Sequence, residues 1–361
     1  MTRRIDQVIP TLASRDAIGG HVVQLRDLLR SRGFESDIFY GNASADRFDF
    51  GFPISRLGDP SSTDRVLLYQ LSIGSGVADI FRDRSERKFV NYHNITPASL
   101  LEAWLPAVGE EVRWGRSQLR DLAPVTEFAV ADSMFNEREL QAAGYKVTAT
   151  VPLLLDLDSF AGSPDPTLAR RLRAEKADGG TELLFVGKVS PHKGQHDLVK
   201  ALATYRRLYD PVARLRLVGG AISEDYQKAV ERFADELGLG DAVEFAGSVS
   251  HEELIAYYAN TDVFLCLSNH EGFCVPLLES MYHQVPIVAY TNTAVPETVA
   301  SAGLVLPDKE PVRVAAAIHR VVTDQALQAT LARAASERVA TFALPRVKEG
   351  FASALEAAYA A

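Results

Sequence analysis

The stretch Asn269–Glu279 reads N-H-E-G-F-C-V-P-L-L-E, and the rest of the chain is best interpreted around it. It follows D-V-F-L-C-L-S at 262–268, an apolar run typical of a buried strand, and leads into an apolar helix. Two carboxylates, Glu271 and Glu279, bracket a Gly-Phe turn and a proline suited to a first helical turn. Helix starts bind anions, and each carboxylate can accept two hydroxyl hydrogens. This combination suggests a nucleotide-sugar site.

Length and charge narrow the possible classes of protein. At 361 residues the chain is long for one core, so two domains are expected. Hydrophobic residues make up 47% and charged residues 24%, which is ordinary for a globular protein. The net charge of −9 argues against nucleic-acid binding and gives no general attraction to anionic membranes.

Cysteine use and hydropathy predict a cytoplasmic protein. The chain has two cysteines, Cys266 and Cys274, which form neither a disulfide framework nor a zinc-ligand spacing. We therefore expect no metal site. The first apolar run is interrupted by Asp6 and Pro10, so it makes a poor signal peptide. No apolar run approaches the roughly 20 residues that span a bilayer.

Both halves of the chain alternate short apolar runs with amphipathic helical segments. In the first half, a loop with Gly19 and Gly20 precedes a helix from His21, and a later strand ends at His93. A polar stretch at 161–180 follows, and the same rhythm then restarts. This alternation predicts two doubly wound α/β domains, at 1–155 and 156–345, with ligands at the carboxyl ends of the strands.

The loop G-K-V-S-P-H-K-G at 187–194 lies between a predicted strand and a predicted helix. Its glycines let a ligand approach the backbone, and Lys188 and Lys193 can neutralise phosphate charge. The chain has nine lysines against twenty-nine arginines, so two lysines in one short loop are notable. A solvated turn is the alternative interpretation of this loop taken alone.

Together these segments resemble the retaining glycosyltransferases of GT-B fold, of the family 4 type. The glutamates separated by seven residues, Glu271 and Glu279, match the family motif. Further landmarks occur in the family's order over about 183–300: G-K…K-G at 187–194, V-G-G at 218–220, E-F-A-G-S-V at 244–249, P-I-V-A at 286–289 and P-E at 296–297. The first half matches more loosely, through the Gly19-Gly20 loop and His93.

The resemblance implies a fold and a set of donor contacts. The fold would be two Rossmann-like domains facing each other across a deep cleft, with a final helix at 346–361 returning to the first domain. Glu279 would bind the ribose hydroxyls. Glu271, with the backbone of Gly272 and Phe273, would hold hydroxyls of the transferred sugar.

The same resemblance assigns the diphosphate and base contacts. Lys188 and Lys193 would stabilise the departing diphosphate, although the family usually has arginine at the first position. The remaining donor contacts would come from backbone groups and one histidine. Gly20, Cys274 and Val275 would lie near the phosphates, and Val249 at the base. Gly19 and Gly187 would also contact the donor, and His93 would face the sugar from the first domain.

The implied chemistry is transfer of a sugar to an acceptor hydroxyl with retention of configuration, without a metal, a cofactor or a protein nucleophile. The donor would be a UDP- or GDP-sugar. A lipid, a polysaccharide and a small molecule all remain open as acceptor. Two alternatives are a nucleotide-sugar epimerase of the same architecture and a non-catalytic nucleotide-sugar-binding protein.

Two further segments imitate functional motifs. Asp156-Leu157-Asp158 resembles a metal-binding D-x-D, but it lies in the interdomain segment and is interpreted as structural. The segment 111–120 combines Trp114 with three arginines, which would suit peripheral membrane contact. A solvated helix face is the preferred interpretation.

Overall fold

The computed structural model describes residues 3–13, 17–59, 65–177 and 179–361. The chain divides into two compact units. The first unit comprises Met1–Glu102, Pro106–Asp156 and Phe342–Ala361, and the second comprises Ala103–Leu105 and Leu157–Thr341. The main crossings between units therefore lie at 156/157 and 341/342, beside the domain limits of 155 and 345 that the sequence suggested.

The first unit is built on a seven-stranded parallel sheet with the strand order β3-β2-β1-β4-β5-β6-β7. Its elements in chain order are β1 (Arg4–Leu12), α1 (Ala17–Ser31), β2 (Ile38–Ala43), β3 (Phe52–Pro53), β4 (Arg65–Leu71), α2 (Gly76–Asp83), β5 (Arg87–Tyr92), α3 (Pro106–Leu122), β6 (Phe128–Ala131), α4 (Met134–Ala143) and β7 (Thr148–Thr150).

Apolar residues bury this sheet between layers of helices. Strand β4 is buried at all seven positions, as expected for a parallel strand covered on both faces. The last helix of the chain, α13 (Leu344–Ala360), belongs to this unit and contributes Phe351 and Leu355 to its core. The Phe351 ring lies 5.2 Å from the ring of His21 on α1.

The predicted loop at Gly19 and Gly20 is wrong, because both glycines lie inside α1, which begins at Ala17. Glycine ordinarily costs about 1 kcal/mol in a helix relative to alanine, which is why the pair was expected to lie outside one. Close packing requires the first of them. A Cβ at Gly19 would lie 2.1 Å from the carbonyl oxygen of Ala13, so only glycine fits there without a shift of the backbone.

The second unit is built on a six-stranded parallel sheet with the order β10-β9-β8-β11-β12-β13. Its elements in chain order are α5 (Pro166–Lys176), β8 (Glu182–Val186), α6 (Gln195–Leu208), β9 (Arg214–Val218), α7 (Glu224–Glu236), β10 (Val243–Gly247), α8 (His251–Ala259), β11 (Val263–Cys266), α9 (Val275–Tyr282), β12 (Ile287–Tyr290), α10 (Val295–Val299), β13 (Gly303–Leu306), α11 (Pro311–Thr323) and α12 (Gln325–Thr341).

The prediction of two doubly wound α/β domains is confirmed. In each sheet the strand order reverses direction once, beside β1 in the first unit and beside β8 in the second. Such a reversal of strand order is called a switch point, and ligands of these sheets bind there, outside the carboxyl ends of the strands. Among the described residues, no helix has the length and apolarity needed to cross a bilayer.

Candidate active site

The switch point of the second sheet brings the two predicted motifs together. Strands β8 and β11 are neighbours, and they pair through Val263 with Leu183 and Phe264 with Leu184. The lysine loop at 187–194 follows β8, and the Asn269–Glu279 motif follows β11. Segments about eighty residues apart in the chain therefore meet at one edge of the sheet.

The closest link between the motifs is an ion pair between Lys193 and Glu271. The Lys193 ammonium lies 2.8 Å from both carboxylate oxygens. The Glu271 side chain is 6% exposed and that of Lys193 is 20% exposed. Burial opposes the charge on Lys193, but the Glu271 carboxylate outweighs it and raises the pKa of Lys193. The lysine is therefore held protonated beside Glu271.

The backbone of Glu271 is fixed by the loop that follows β12. The Glu271 N–H donates to the hydroxyl of Thr293 at 2.8 Å, and that hydroxyl donates to the Glu271 carbonyl at 2.7 Å. The side chain of Asn292 donates to the carbonyl of Asn269. These bonds hold the first turn of the motif against the sheet edge and orient Glu271 toward Lys193.

A third lysine, Lys309, joins the site from the loop after β13, and the sequence analysis did not identify it. Its ammonium donates to the side-chain oxygen of Asn269 at 2.7 Å and forms an ion pair with Asp197 near the start of α6. Lys309 therefore ties the motif to α6. The signal that could have identified it is a lysine in the short loop after a strand, in a chain with few lysines.

Lys188 differs from the other two lysines because it is exposed, and within the described part of the chain its ammonium has no ion-pair partner. Its backbone is held by Gln195, whose side chain donates to the Lys188 carbonyl at 3.1 Å. A lysine without a protein counter-ion can take an anionic ligand at little cost in lost contacts.

Burial, together with neighbouring positive charge, keeps His192 neutral within the lysine loop. Burial lowers its pKa to about 2, and the positive charges of Lys193 and Lys188 contribute to the shift. The His192 Nδ1 lies 2.9 Å from the Ser190 hydroxyl. His192 therefore adds no positive charge near neutral pH, and the two loop lysines supply it.

Helix α9 begins at this edge with an unusual backbone conformation. Cys274, directly before the helix, has φ 70° and ψ 72°, in the left-handed region that non-glycine residues rarely adopt. The turn before it is fixed by Thr298, whose hydroxyl donates to the Phe273 carbonyl at 2.8 Å. Gly272 is half-buried beside Glu271, and Val275 is the first helical residue. A helix start of this kind favours an anion.

Glu279 lies one turn farther along α9, in a cavity of about 250 Å³ lined by Phe160, His251, Tyr258 and His283 among others. The Tyr258 hydroxyl donates to Glu279 at 2.7 Å. Burial raises the pKa of Glu279, and the Tyr258 hydrogen bond offsets this in part. Aromatic walls around a carboxylate suit a nucleoside, because the base can stack and the ribose can donate hydroxyls. Tyr258 was not predicted.

The backbone groups predicted near the phosphates and base also lie around this edge. Gly187 has φ +152° and donates its N–H to the Val218 carbonyl at 2.8 Å. A Cβ at Gly219 would lie 2.2 Å from the Gly187 carbonyl oxygen, so the V-G-G sequence allows these loops to touch. Val249 is half-buried and follows β10, at the far end of the sheet from β13.

In the first unit, His93 directly follows β5, and its ring is turned into a buried polar network. Its Nδ1 lies 2.8 Å from Asp132 Oδ2, and its Nε2 lies 2.7 Å from Gln70 Oε1. Because an amide oxygen only accepts, the ring donates its Nε2–H to Gln70, and its Nδ1 pairs with the Asp132 carboxyl group. Burial raises the pKa of Asp132, while His93 opposes the shift. The predicted contact of His93 with a donor sugar stays a prediction.

Gly20, which was predicted to contact the diphosphate from the first unit, lies in the first turn of α1. In contrast to Gly19, a Cβ at Gly20 would meet no atom of the described residues within 4 Å. The backbone beside Gly20 is therefore open. The structure thus brings together Lys188, Lys193, Glu271, Glu279 and the start of α9 in the second unit, and places His93 and Gly20 in the first.

Comparison with known proteins gives the arrangement a family context. Residues 170–338 match the profile described as "Glycosyl transferases group 1". A GDP-mannose-dependent alpha-(1-6)-phosphatidylinositol monomannoside mannosyltransferase of Mycobacterium tuberculosis is 32% identical over 60% of this chain and 59% of its own length. A D-inositol 3-phosphate glycosyltransferase of Stackebrandtia nassauensis is 33% identical over 55% of this chain and 45% of its own.

Solved structures share the fold over nearly the whole chain. HepE of Anabaena, in complex with UDP-glucose, superposes with a TM-score of 0.75 at 17% identity, over 98% of this chain and 99% of that one. Sucrose-phosphate synthase of Thermosynechococcus elongatus gives a TM-score of 0.75 at 19% identity, covering 99% of both chains. At these identities the likeness shows the fold alone.

Proposed function

We propose that this chain, whose residues 170–338 match the glycosyl transferases group 1 profile, transfers a sugar from a nucleotide-diphosphate sugar to an acceptor hydroxyl. The configuration at the anomeric carbon is retained, and no metal takes part. The sequence match spans about three fifths or less of the relatives described above, so this activity is proposed from the site.

The contact between Lys193 and Glu271 carries the proposal. It joins a cation to a carboxylate at the start of α9, with both N–O distances at 2.8 Å. A sugar hydroxyl can donate to Glu271 while the diphosphate accepts from Lys193, so a donor bridges the pair. The exposed ammonium of Lys188 gives a second phosphate contact on the same loop.

The charge that develops on the departing diphosphate can be stabilised by these groups without a metal. Two lysines and the N–H groups of a helix start are positive and already in place, which is the arrangement that stabilises a leaving anion. The acceptor oxygen bonds to the anomeric carbon on the face from which the diphosphate leaves. Its proton passes to a phosphate oxygen, so no protein base is required.

The nucleoside of the donor is proposed to occupy the cavity around Glu279. Its ribose hydroxyls donate to the Glu279 carboxylate, and the base lies against the half-buried rings of Phe160 and His283. GDP and UDP sugars are both candidates, since one relative is named for GDP-mannose and one structural neighbour was solved with UDP-glucose. Inositol-containing acceptors come first for testing, because both named relatives act on them.

The test is a transfer assay on the purified chain with GDP-mannose and UDP-glucose as donors. Acceptors are inositol phosphates, phosphatidylinositol and simple sugars. Donor-dependent nucleoside diphosphate together with a glycosylated product supports the proposal, and the anomeric proton coupling of the product reports retention. Activity that survives a chelator supports metal independence. Lys193→Ala should lose about 10²–10³-fold in rate, whereas Lys228→Ala, an exposed lysine on α7, is the matched control.

Two results would redirect the assignment. Release of an epimerised free sugar without acceptor would indicate the epimerase alternative. Saturable donor binding with no turnover on any acceptor would indicate a binding protein.

A further inference from the structure

The two cysteines of this chain converge on Glu271 at the end of β11. Cys266 is the last residue of that strand, and Cys274 directly precedes α9. Their Sγ atoms and a Glu271 carboxylate oxygen all lie within 4.8 Å of one another. Seven residues lie between the cysteines, and Cys274, which approaches Cys266, has a left-handed backbone conformation.

We propose that Cys266, Cys274 and Glu271 form a binding site for a thiophilic divalent cation of the zinc class, and that an ion bound there closes the donor site. Two sulfurs and one carboxylate are a ligand set that suits Zn²⁺ or Cd²⁺. Zn–S bonds of about 2.3 Å place two sulfurs about 3.8 Å apart in a tetrahedral site, so the three groups need to move by about 1 Å or less.

Electrostatics are favourable for this ligand set. Both thiols lose their protons to solvent on binding, which gives two negative charges in addition to that of Glu271. The divalent ion and the Lys193 ammonium balance these three charges. Without an ion, Lys193 contacts both oxygens of Glu271. One oxygen can therefore turn to a bound ion while the other stays with Lys193. No buried charge is left unpaired.

The thiols also interact with each other in the absence of an ion. Pairing of the two thiols lowers the pKa of Cys266 and raises the pKa of Cys274, and the Cys266 thiol donates to the Ser268 hydroxyl at 3.7 Å. Both side chains are buried, Cys266 at 1% and Cys274 at 9% exposure. Because the two thiols release their protons when the cation binds, the affinity for the cation rises with pH.

An ion at this site would act as an inhibitor of sugar transfer. Glu271 could no longer accept the sugar hydroxyls assigned to it, and Cys274 precedes the helix start assigned to the diphosphate. This consequence rests on the proposed function. Cation binding itself does not, because its ligands are identified by geometry alone.

The experiment is a titration of the reduced chain with Cd²⁺, followed by thiolate-to-metal charge-transfer absorbance. The chain contains no other cysteine, so the band reports on this pair. We expect one equivalent of Cd²⁺ to give a charge-transfer band with the intensity of two thiolates. Added Zn²⁺ should displace Cd²⁺ and remove the band. Cys266→Ser and Cys274→Ser should each halve the band. Glu271→Gln should keep it but weaken affinity at least about tenfold, the smallest loss seen for groups that support metal ligands.

Controls separate binding from folding and from catalysis. Glu337→Gln, an exposed carboxylate variant on α12, should bind Cd²⁺ as the wild type does. Cys266→Ala and Cys274→Ala are made beside the two serine variants. Circular dichroism of all four proteins identifies any loss of cation binding that comes from misfolding. In the transfer assay Zn²⁺ should raise the KM for the donor, and this effect should disappear in Cys266→Ser.

Three results would overturn the proposal. The first is no charge-transfer band with cation in large excess, or a band of one thiolate only. The second is equal affinity in Glu271→Gln and Glu337→Gln. The third is a pair of thiols that alkylating reagents detect only after strong reduction, since that would mean a disulfide in place of a metal site. Failure of sugar transfer alone leaves the absorbance result intact and counts against the proposed function.

Discussion

The ammonium of Lys193 lies 2.8 Å from both carboxylate oxygens of Glu271, across 78 residues of chain. The pair forms where β8 and β11 are adjacent in the sheet, at the point where strand order reverses. Each partner fixes the other in a position where a donor can contact both. Preorganised charge of this kind costs no rearrangement when the leaving group becomes negative.

The first prediction concerns the stability of this pair. Lys193→Met leaves the carboxylate of Glu271 buried without its counter-ion and should lower the free energy of unfolding by about 2 kcal/mol. This is less than the roughly 3–5 kcal/mol for fully buried pairs, because one fifth of the Lys193 side chain is exposed. The double variant Lys193→Met with Glu271→Gln should recover most of the loss. Urea unfolding of the four proteins in this cycle provides the measurement.

If the double variant proves as unstable as the sum of the two single ones, Lys193 and Glu271 are not coupled. We expect the double variant to recover stability but not transfer activity.

Lys188 gives a contrasting prediction. Its side chain is exposed and has no ion-pair partner in the described ranges, so Lys188→Ala should leave the melting temperature unchanged. The rate of transfer should fall by about 10²-fold, because a positioned phosphate contact is lost. Lys188→Arg should restore most of this rate, since charge is kept. A rate equal to that of Lys228→Ala would remove Lys188 from the donor site.

A pH-dependent prediction follows from Glu279. Burial raises its pKa above the ordinary 4.5, with the Tyr258 hydrogen bond acting in the opposite direction. The folded state therefore binds the Glu279 proton more tightly than the unfolded state does. Ionised Glu279 destabilises the fold at neutral pH, and this destabilisation is relieved as pH falls through the raised pKa toward 4.5.

Glu279→Gln should accordingly be more stable than the wild type at pH 7, and the difference should shrink as the pH falls. Nucleotide binding should weaken at least about tenfold in the same variant, because charged hydrogen bonds to ribose are worth roughly 1.5–3 kcal/mol each. Melting curves from pH 4.5 to 8 and nucleotide titrations test the two effects. A stability difference that is independent of pH would contradict the assignment.

Neighbouring glycines supply a matched pair of variants. Gly19→Ala places a Cβ 2.1 Å from the Ala13 carbonyl and should destabilise the first unit by about 1–3 kcal/mol. Gly20→Ala meets no atom within 4 Å and should be neutral or stabilise by up to about 1 kcal/mol. If the Gly20 backbone faces the diphosphate as predicted, Gly20→Ala should still raise the donor KM. Unchanged kinetics would exclude that role.

The sequence was informative about most features that lie within one continuous stretch, with an exception at Gly19 and Gly20. Alternating apolar runs predicted both parallel sheets, and the spacing of Glu271 and Glu279 predicted a strand, a turn and a helix start. The error at Gly19 and Gly20 has a local cause. Helix propensity disfavours glycine, but close contact with the Ala13 carbonyl requires it at the first of these positions.

Contacts between distant segments could not be predicted in the same way. Lys309 reaches Asn269 across 40 residues, and Tyr258 reaches Glu279 across 21. Lys193 and Glu271 were predicted to serve different parts of the donor, and nothing in the alternation of elements implied that they touch. Their contact depends on the order of strands in the sheet, which alternation alone does not determine.

The central claim is that the loops after β8 and β11 form a nucleotide-diphosphate site. The most direct test is thermal stabilisation of the wild type, Lys193→Ala and Glu279→Ala by GDP and by UDP. At a ligand concentration of 100 Kd, a site occupied only in the folded state adds about 2.7 kcal/mol of stability. We predict a shift of that size with at least one nucleotide for the wild type and its loss in both variants. No shift in the wild type, or equal shifts in all three proteins, would contradict the claim.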